Sequence, residues 1–306
     1  PPVGTNESPA LSPRYLKDRY PVTLFQSELT DVVRQAVESG ILRNATQIRS
    51  LDNFDGTPSA LLTPNGSDVI RMDGQEAAME LGELMGTISG PEEGIVITRS
   101  NKRANLFSKQ VRNTVHFYDS ELNSGDYLMV VRNNYHWIKD SDKVSFIANG
   151  DLLRVERYLR QEEMHGFRFA DAEVSLLDYP DYPSFEVKLL LDSLHKDSSS
   201  LSDVDMRTLY NSVLEDYADK ETREEVRKAI QEDPYYNALQ VKYAYAVTCH
   251  KSQGGQWPLV VIDFGWLPED GYDEGFYRWL YTAVTRATEK LYLFGFPDEL
   301  FLGSNR

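Results

Sequence analysis

The spacing of apolar residues changes twice along this chain, and that change constrains the fold more than any single motif. Up to about residue 123 the pattern is helical around one short apolar strand. "GIVIT" at 94–98 leads into "RSNKRANLFSKQVRN", which puts Ala104, Leu106, Phe107 and Val111 on one helical face. Near Asn123 the period drops to two. "DYLMVVRN" and "KVSFIANGDLLRVERYL" alternate, Asn149-Gly150 makes a hairpin turn, and "FEVKLLLDSL" supplies a further strand. The first texture then returns: "YAYAV" and "PLVVIDF" are strands, "EGFYRWLYTAVTRA" is a helix, and "KLYLFGF" is a final strand. Strand, polar turn and helix make the α/β unit. The expected fold is therefore one α/β domain with a parallel sheet and flanking helices, interrupted by a small, mostly-β, barrel-like insertion with helices. Its boundaries fall at 1–123 and 236–306 for the α/β domain and at 124–235 for the insertion.

Local signals fill in the rest. Residues 1–30 are rich in Pro, Ser and Thr and read as irregular. In "TDVVRQAVESG", Val32, Val33, Ala36 and Val37 share a helical face, with Thr30 as N-cap and Gly40 as stop. "ILRNATQIRSL" and residues 74–88 read as further helices. Ser202 to Asp205 forms a capping box ahead of a stripe of Met206, Leu209, Tyr210, Val213, Leu214 and Tyr217. A second, highly charged helix runs to about Gln231.

With 41% hydrophobic and 26% charged residues, the 306-residue chain has a globular composition and enough length for two cores. No apolar run approaches the ~20 residues of a membrane helix. A single cysteine, Cys249, rules out an internal disulfide and fits a reducing, cytoplasmic setting. The five histidines lack zinc spacing. The formal net charge of −16 weighs against nucleic acid as a partner, although net charge says little about a local groove. Opening on Pro1 without a leader-like segment, the chain reads as a piece of a longer polypeptide.

Chemistry concentrates where strands end. In "YAVTCHKSQGGQW", Thr248, His250, Ser252 and Gln253 follow a strand, and Gly254-Gly255 lets the backbone approach a ligand. An ordinary surface loop has the same composition. In "YTAVTRATEKLYL", Arg286 sits at a helix C-terminus, where the helix dipole favours a cation. An arginine there can also reach a phosphate supplied by a neighbouring lobe. Arg34 by itself is an exposed helical charge.

In this order the segments resemble one family. "TCHKSQGGQW" resembles motif V of superfamily 1 helicases, and "LYTAVTRA" resembles motif VI. "LTDVVRQAVESGILRNA" is similar to motif IV of the RecD and Pif1 branch, "GIVITRSNKRANLFSKQVR" to the opening of its second RecA-like domain, and "PPVG" to the tail of motif III. The resemblance covers most of 1–123 and 240–306. It implies a RecA-like fold, ATP and Mg²⁺ as cofactors, and single-stranded or duplex DNA as partner. It implies Arg286 as the finger on the γ-phosphate and Arg34 as a second contact. Gln253, Gly254, Gly255 and Gln256 would lie at the nucleotide, although Gln256 replaces an acidic residue often found there. Thr248, His250, Ser252, Thr98 and Asn101 would touch DNA. The barrel would hold or split the duplex, and movement would run 5′ to 3′.

No Gly-Lys dipeptide and no Asp-Glu metal pair occur in the positions a motor needs; Asp263 in "VVIDF" has no acidic neighbour. The phosphate loop would belong to an upstream RecA-like domain, and this piece alone would hydrolyse no ATP. Two alternatives stand beside the helicase. A degenerate motor could serve as a binding scaffold. "PDYPSFEVK", with Asp181, Glu186 and Lys188, loosely matches a metal-dependent nuclease.

Overall fold

The structure is a computed structural model that describes residues 12–25, 39–52, 54–138, 144–266 and 271–303. In chain order its elements begin with α1 (Pro13–Arg19), α2 (Gly40–Arg49), β1 (Val69–Met72), α3 (Ala77–Gly86), β2 (Gly94–Thr98) and α4 (Asn101–Thr114). Next come β3 (Tyr127–Val130), β4 (Leu152–Met164), β5 (Phe167–Leu176), β6 (Phe185–Leu190), α5 (Asp192–His195), α6 (Asp203–Glu215) and α7 (Arg223–Glu232). Then follow β7 (Leu239–Tyr243), β8 (Ala246–Thr248), β9 (Trp257–Asp263), α8 (Glu274–Val284) and β10 (Ala287–Phe294). The chain divides into two compact units, Pro1–Asp73 with Ser252–Arg306, and Gly74–Lys251.

The first unit is built on parallel strands in the order β1, β10, β9, with Val69 opposite Leu291 and Leu291 opposite Val260. β9 ends in a continuous buried run that includes Val260, Val261 and Ile262, as a strand covered on both faces requires, whereas β10 alternates, with Leu291 and Leu293 buried and Tyr292 and Phe294 half-buried. α2 packs on α8 and β10. Its buried Ile41, Ala45 and Ile48 recur at helical spacing. Ser39 caps α2, and the Asp68 carboxylate accepts the Gly40 N–H at 2.7 Å and the Ser39 hydroxyl at 2.9 Å. Gly40 therefore opens this helix. A Cβ there would lie 2.4 Å from the Asn65 amide and 2.6 Å from Asp68. The motif III segment and residues 29–38 of the motif IV segment, including Arg34, lie outside the described residues, while the rest of the motif IV segment forms the start of α2.

The second unit contains a parallel pair, β2 and β8, in register from Val96–Ala246 to Thr98–Thr248. α4 packs on both strands. Its buried face is Ala104, Phe107, Ser108, Val111 and Arg112. Leu106, expected inward, is 55% exposed, because the face turns one residue further round to bring Ser108 onto the Ala246 N–H at 3.2 Å.

The same unit holds a closed barrel, β3-β4-β5-β6-β7. β3 closes it by pairing antiparallel with both β4 and β7, and β6 runs parallel to β7. The Asn149-Gly150 turn is present, with Asp151 N–H on the Ala148 carbonyl and Gly150 at φ 109°. Among the described residues, the segment before it contributes the Asn134–Ile147 bridge and no full strand. Ser202 and Asp205 make the capping box of α6. Leu209 and Val213 join Phe167, Phe169, Leu190, Leu201, Ile230 and Ala238 in a buried cluster, with Met206, Leu214 and Tyr217 packed against it. Tyr210 lies at the rim, 39% exposed. "YAYAV" is not one strand: β7 belongs to the barrel, and β8 belongs to the parallel pair, with Ala244 and Tyr245 between them. Among the described residues, no helix is long and apolar enough to cross a membrane.

Candidate functional site

In the first unit, the segment before β9 and the end of α8 are tied together. The Trp257 N–H donates to the Arg286 carbonyl at 2.9 Å, at the point where β9 and β10 begin side by side. Arg286 follows the last turn of α8, the negative end of its dipole. Its Nη1 donates to the Gly255 carbonyl at 2.9 Å, its Nε to the Thr282 carbonyl at 3.0 Å, and its Nη2 to Thr285 Oγ1 at 3.1 Å. The guanidinium is thus half-buried and fixed in orientation, as a planar phosphate ligand needs.

A cleft of about 610 Å³ opens beside it. Gln253, Gly254 and Arg286 line it together with one side of α8, where Tyr277, Arg278, Tyr281 and Thr282 lie, and with Ile48, Arg49 and Phe54. Three arginines face one glutamate, Glu274, which pairs with Arg278 at 2.5 Å. The cleft is therefore cationic within an acidic chain, and it suits an anion that carries an aromatic group. Gln256 is exposed, Gly255 is half-buried, and Ser252 is buried. Ser252 accepts the Gly255 N–H through its carbonyl at 3.1 Å, which closes the turn.

In the second unit, Thr98 and Thr248 are register partners at the carboxyl ends of β2 and β8. Both are buried. The Thr98 hydroxyl donates to the Ser100 carbonyl at 3.0 Å, and the Cys249 N–H donates to the Thr98 carbonyl at 3.0 Å. These residues shape the strand ends from inside. Asn101, the first residue of α4, is half-buried beside its cap Ser100, and His250 is exposed. Lys251 reaches Asn149 on the barrel's turn, and burial pushes its ammonium pKa down.

Of the residues singled out in the sequence, Arg286, Gln253 and Gly254 line this cleft; the side of α8 that also lines it was not among them. The signal was partial: Tyr277 and Tyr281 stand four residues apart, in line with Thr285, but Tyr277 is buried with Phe276, Leu280 and Val284, and the half-buried side of the helix begins at Tyr281. Of the nuclease residues, Lys188 is held between Glu162 at 2.6 Å and Asp171 at 2.5 Å on the barrel wall. Glu186 stands opposite Glu173. Among the described residues, no group of three or more His, Cys, Asp and Glu could hold a metal ion.

Residues 243–294 match the family described as UvrD-like helicase C-terminal domain, a stretch that includes β8, the 252–256 turn and Arg286. No curated protein matches in sequence. Among solved structures the chain is similar to the Pif1 helicase from Candida albicans, at 12% identity and TM-score 0.41, over 89% of this chain and 57% of that one. It is also similar to the Pif1 helicase from Bacteroides in complex with ADP-AlF3 and ssDNA, at 14% identity and TM-score 0.42, over 90% of this chain and 53% of that one. The chain spans little more than half the length of the structures it matches.

Proposed function

We propose that this chain forms the second motor lobe of an ATP-dependent DNA helicase of superfamily 1, close to the RecD and Pif1 branch. The observation that carries the reading is Arg286, anchored on the Gly255 carbonyl and lining a cationic cleft with Gln253 and Gly254 inside the matched segment. Two segments 31 residues apart in sequence meet at one guanidinium, as nucleotide sensing across a cleft requires.

In this reading Arg286 neutralises charge on the transferred γ-phosphoryl group, and Gln253, Gly254, Gly255 and Gln256 border the nucleotide. Arg34, which lies outside the described residues, would be a second phosphate contact by resemblance. The donor set here offers no metal cluster among the described residues, so Mg²⁺ would arrive with the triphosphate on an upstream RecA-like lobe, where it would stabilise phosphate charge. Exposed His250 and half-buried Asn101 would touch the DNA backbone directly, while buried Thr98, Thr248 and Ser252 would set the shape of the surface that does so. The chain alone would hydrolyse no ATP, and 5′ to 3′ movement is carried by resemblance.

The test uses the full-length protein. Arg286→Ala should lower ATP turnover by on the order of 10³ while leaving DNA binding nearly intact. Normal turnover in that variant would end the finger assignment.

A further inference from the structure

Asp126, at the entrance to β3, is a carboxylate with every acceptor position filled. Oδ1 accepts Arg112 Nε at 2.7 Å and the Tyr245 hydroxyl at 3.1 Å. Oδ2 accepts Arg112 Nη2 at 2.8 Å and the Asn123 N–H at 2.8 Å. The pair is almost fully shielded, with side chains 0% and 4% exposed. Arg112 also lies over the Tyr243 ring at 4.3 Å. Burial, reinforced by the Asp126 charge, pushes the Tyr245 phenol far above its usual range, so it stays a donor at working pH.

Three elements meet at this carboxylate. Arg112 belongs to α4, the helix that starts at Asn101. Asp126 begins the barrel. Tyr245 lies between β7 and β8, three residues before Thr248. β8 is only three residues long, and its ladder with β2 is extended by one backbone bond at each end, Val96 N–H on the Tyr245 carbonyl and Cys249 N–H on the Thr98 carbonyl. In a strand that short, a one-residue slip would turn every side chain to the other face, and side-chain anchors beside it oppose such a slip. The Tyr245 hydroxyl on Asp126 and the Ser108 hydroxyl on the Ala246 N–H supply those anchors upstream.

We infer that Asp126, with Arg112 and Tyr245, positions the Thr248–His250 strand end for its DNA contact and ties that end to the barrel. The inference rests on the helicase reading above. None of the three needs to touch nucleotide or DNA; they act through β8.

Tyr245→Phe removes one hydroxyl and keeps the ring. In the full-length protein, the DNA concentration giving half-maximal stimulation of ATP turnover should rise on the order of tenfold, with basal turnover unchanged. In the 306-residue chain, amide exchange at Cys249 should quicken relative to the barrel strands. Ile230→Val, in the buried cluster beneath α6 and α7, should lower thermal stability without either effect. An unchanged half-saturation point, equal losses of basal and stimulated turnover, or the same response from Ile230→Val would overturn the assignment. If the unaltered protein shows no DNA stimulation, the helicase reading falls with it. If Arg286→Ala abolishes turnover while Tyr245→Phe changes nothing, only the positioning role falls.

Discussion

The two glycines before β9 answer different demands. Gly254 adopts φ 88° with open space around it, so its requirement is conformational. Gly255 has no such backbone, but a Cβ there would lie 2.4 Å from the Trp257 ring. Gly254→Ala should cost about 1–2 kcal/mol. Gly255→Ala should cost about 1–3 kcal/mol by overpacking, and it should also weaken turnover, because its carbonyl is the seat of Arg286. Thermal unfolding and ATP turnover separate the two; equal effects on turnover would mean the Gly255 carbonyl does not matter. The pair was legible as a place where backbone comes close to something, but not which glycine faces a ring and which faces solvent. That difference depends on Trp257 folding back, which spacing alone does not encode. Thr98, to which the resemblance assigns a DNA contact, is buried and its hydroxyl donates to the Ser100 carbonyl.

At the scale of single elements, local chemistry was readable and long-range chemistry was not. The α6 capping box follows from Ser202 and Asp205 three residues apart. The α2 cap depends on Asp68, 28 residues from Gly40, and no local pattern reveals it. β5 was not resolved as an element because Arg168, Asp171 and Glu173 fill its outward positions and make the run read as polar. β1 is four residues long with Arg71 inside it.

Asp68 carries a pH prediction. Burial opposes its charge, but hydrogen bonds from Asn65, Ser39, Ile41 and Gly40 hold its carboxyl below the ordinary value of 3.8. A depressed folded pKa means the unfolded chain binds more protons near that value. The stabilisation of α2 is therefore fully present above pH 3.8 and is lost as pH falls through the lower folded pKa. Asp68→Asn should flatten that part of the stability–pH curve; an unchanged slope would show that the cap carries no such linkage. Asp126→Ala should cost about 3–5 kcal/mol by stranding Arg112, whereas replacing both with Met and Leu should cost far less. Denaturant midpoints distinguish the two; equal costs would mean the pair contributes ordinary packing only.

At the scale of the whole molecule, the net charge of −16 weighs against nucleic acid as a partner, yet Arg49, Arg278 and Arg286 gather in one cleft. Composition averages over a surface, while recognition depends on a few residues brought together by α2, α8 and the turn before β9. The double change of apolar period did reveal parallel α/β strands interrupted by a closed barrel, because each architecture imposes its own spacing over many residues. It did not reveal that β7 leaves the barrel and becomes β8 within two residues, since one apolar run serves both. The helicase reading depends most on what Arg286 does when charge develops on phosphate, and ligand affinity reads that directly. ADP and ADP with aluminium fluoride would be titrated against the full-length protein and its Arg286→Ala variant. A γ-phosphate contact predicts that the variant binds ADP as before but loses on the order of 10²-fold or more in affinity for the transition-state mimic. Equal affinity of both proteins for the mimic, or equal loss for both ligands, would contradict it.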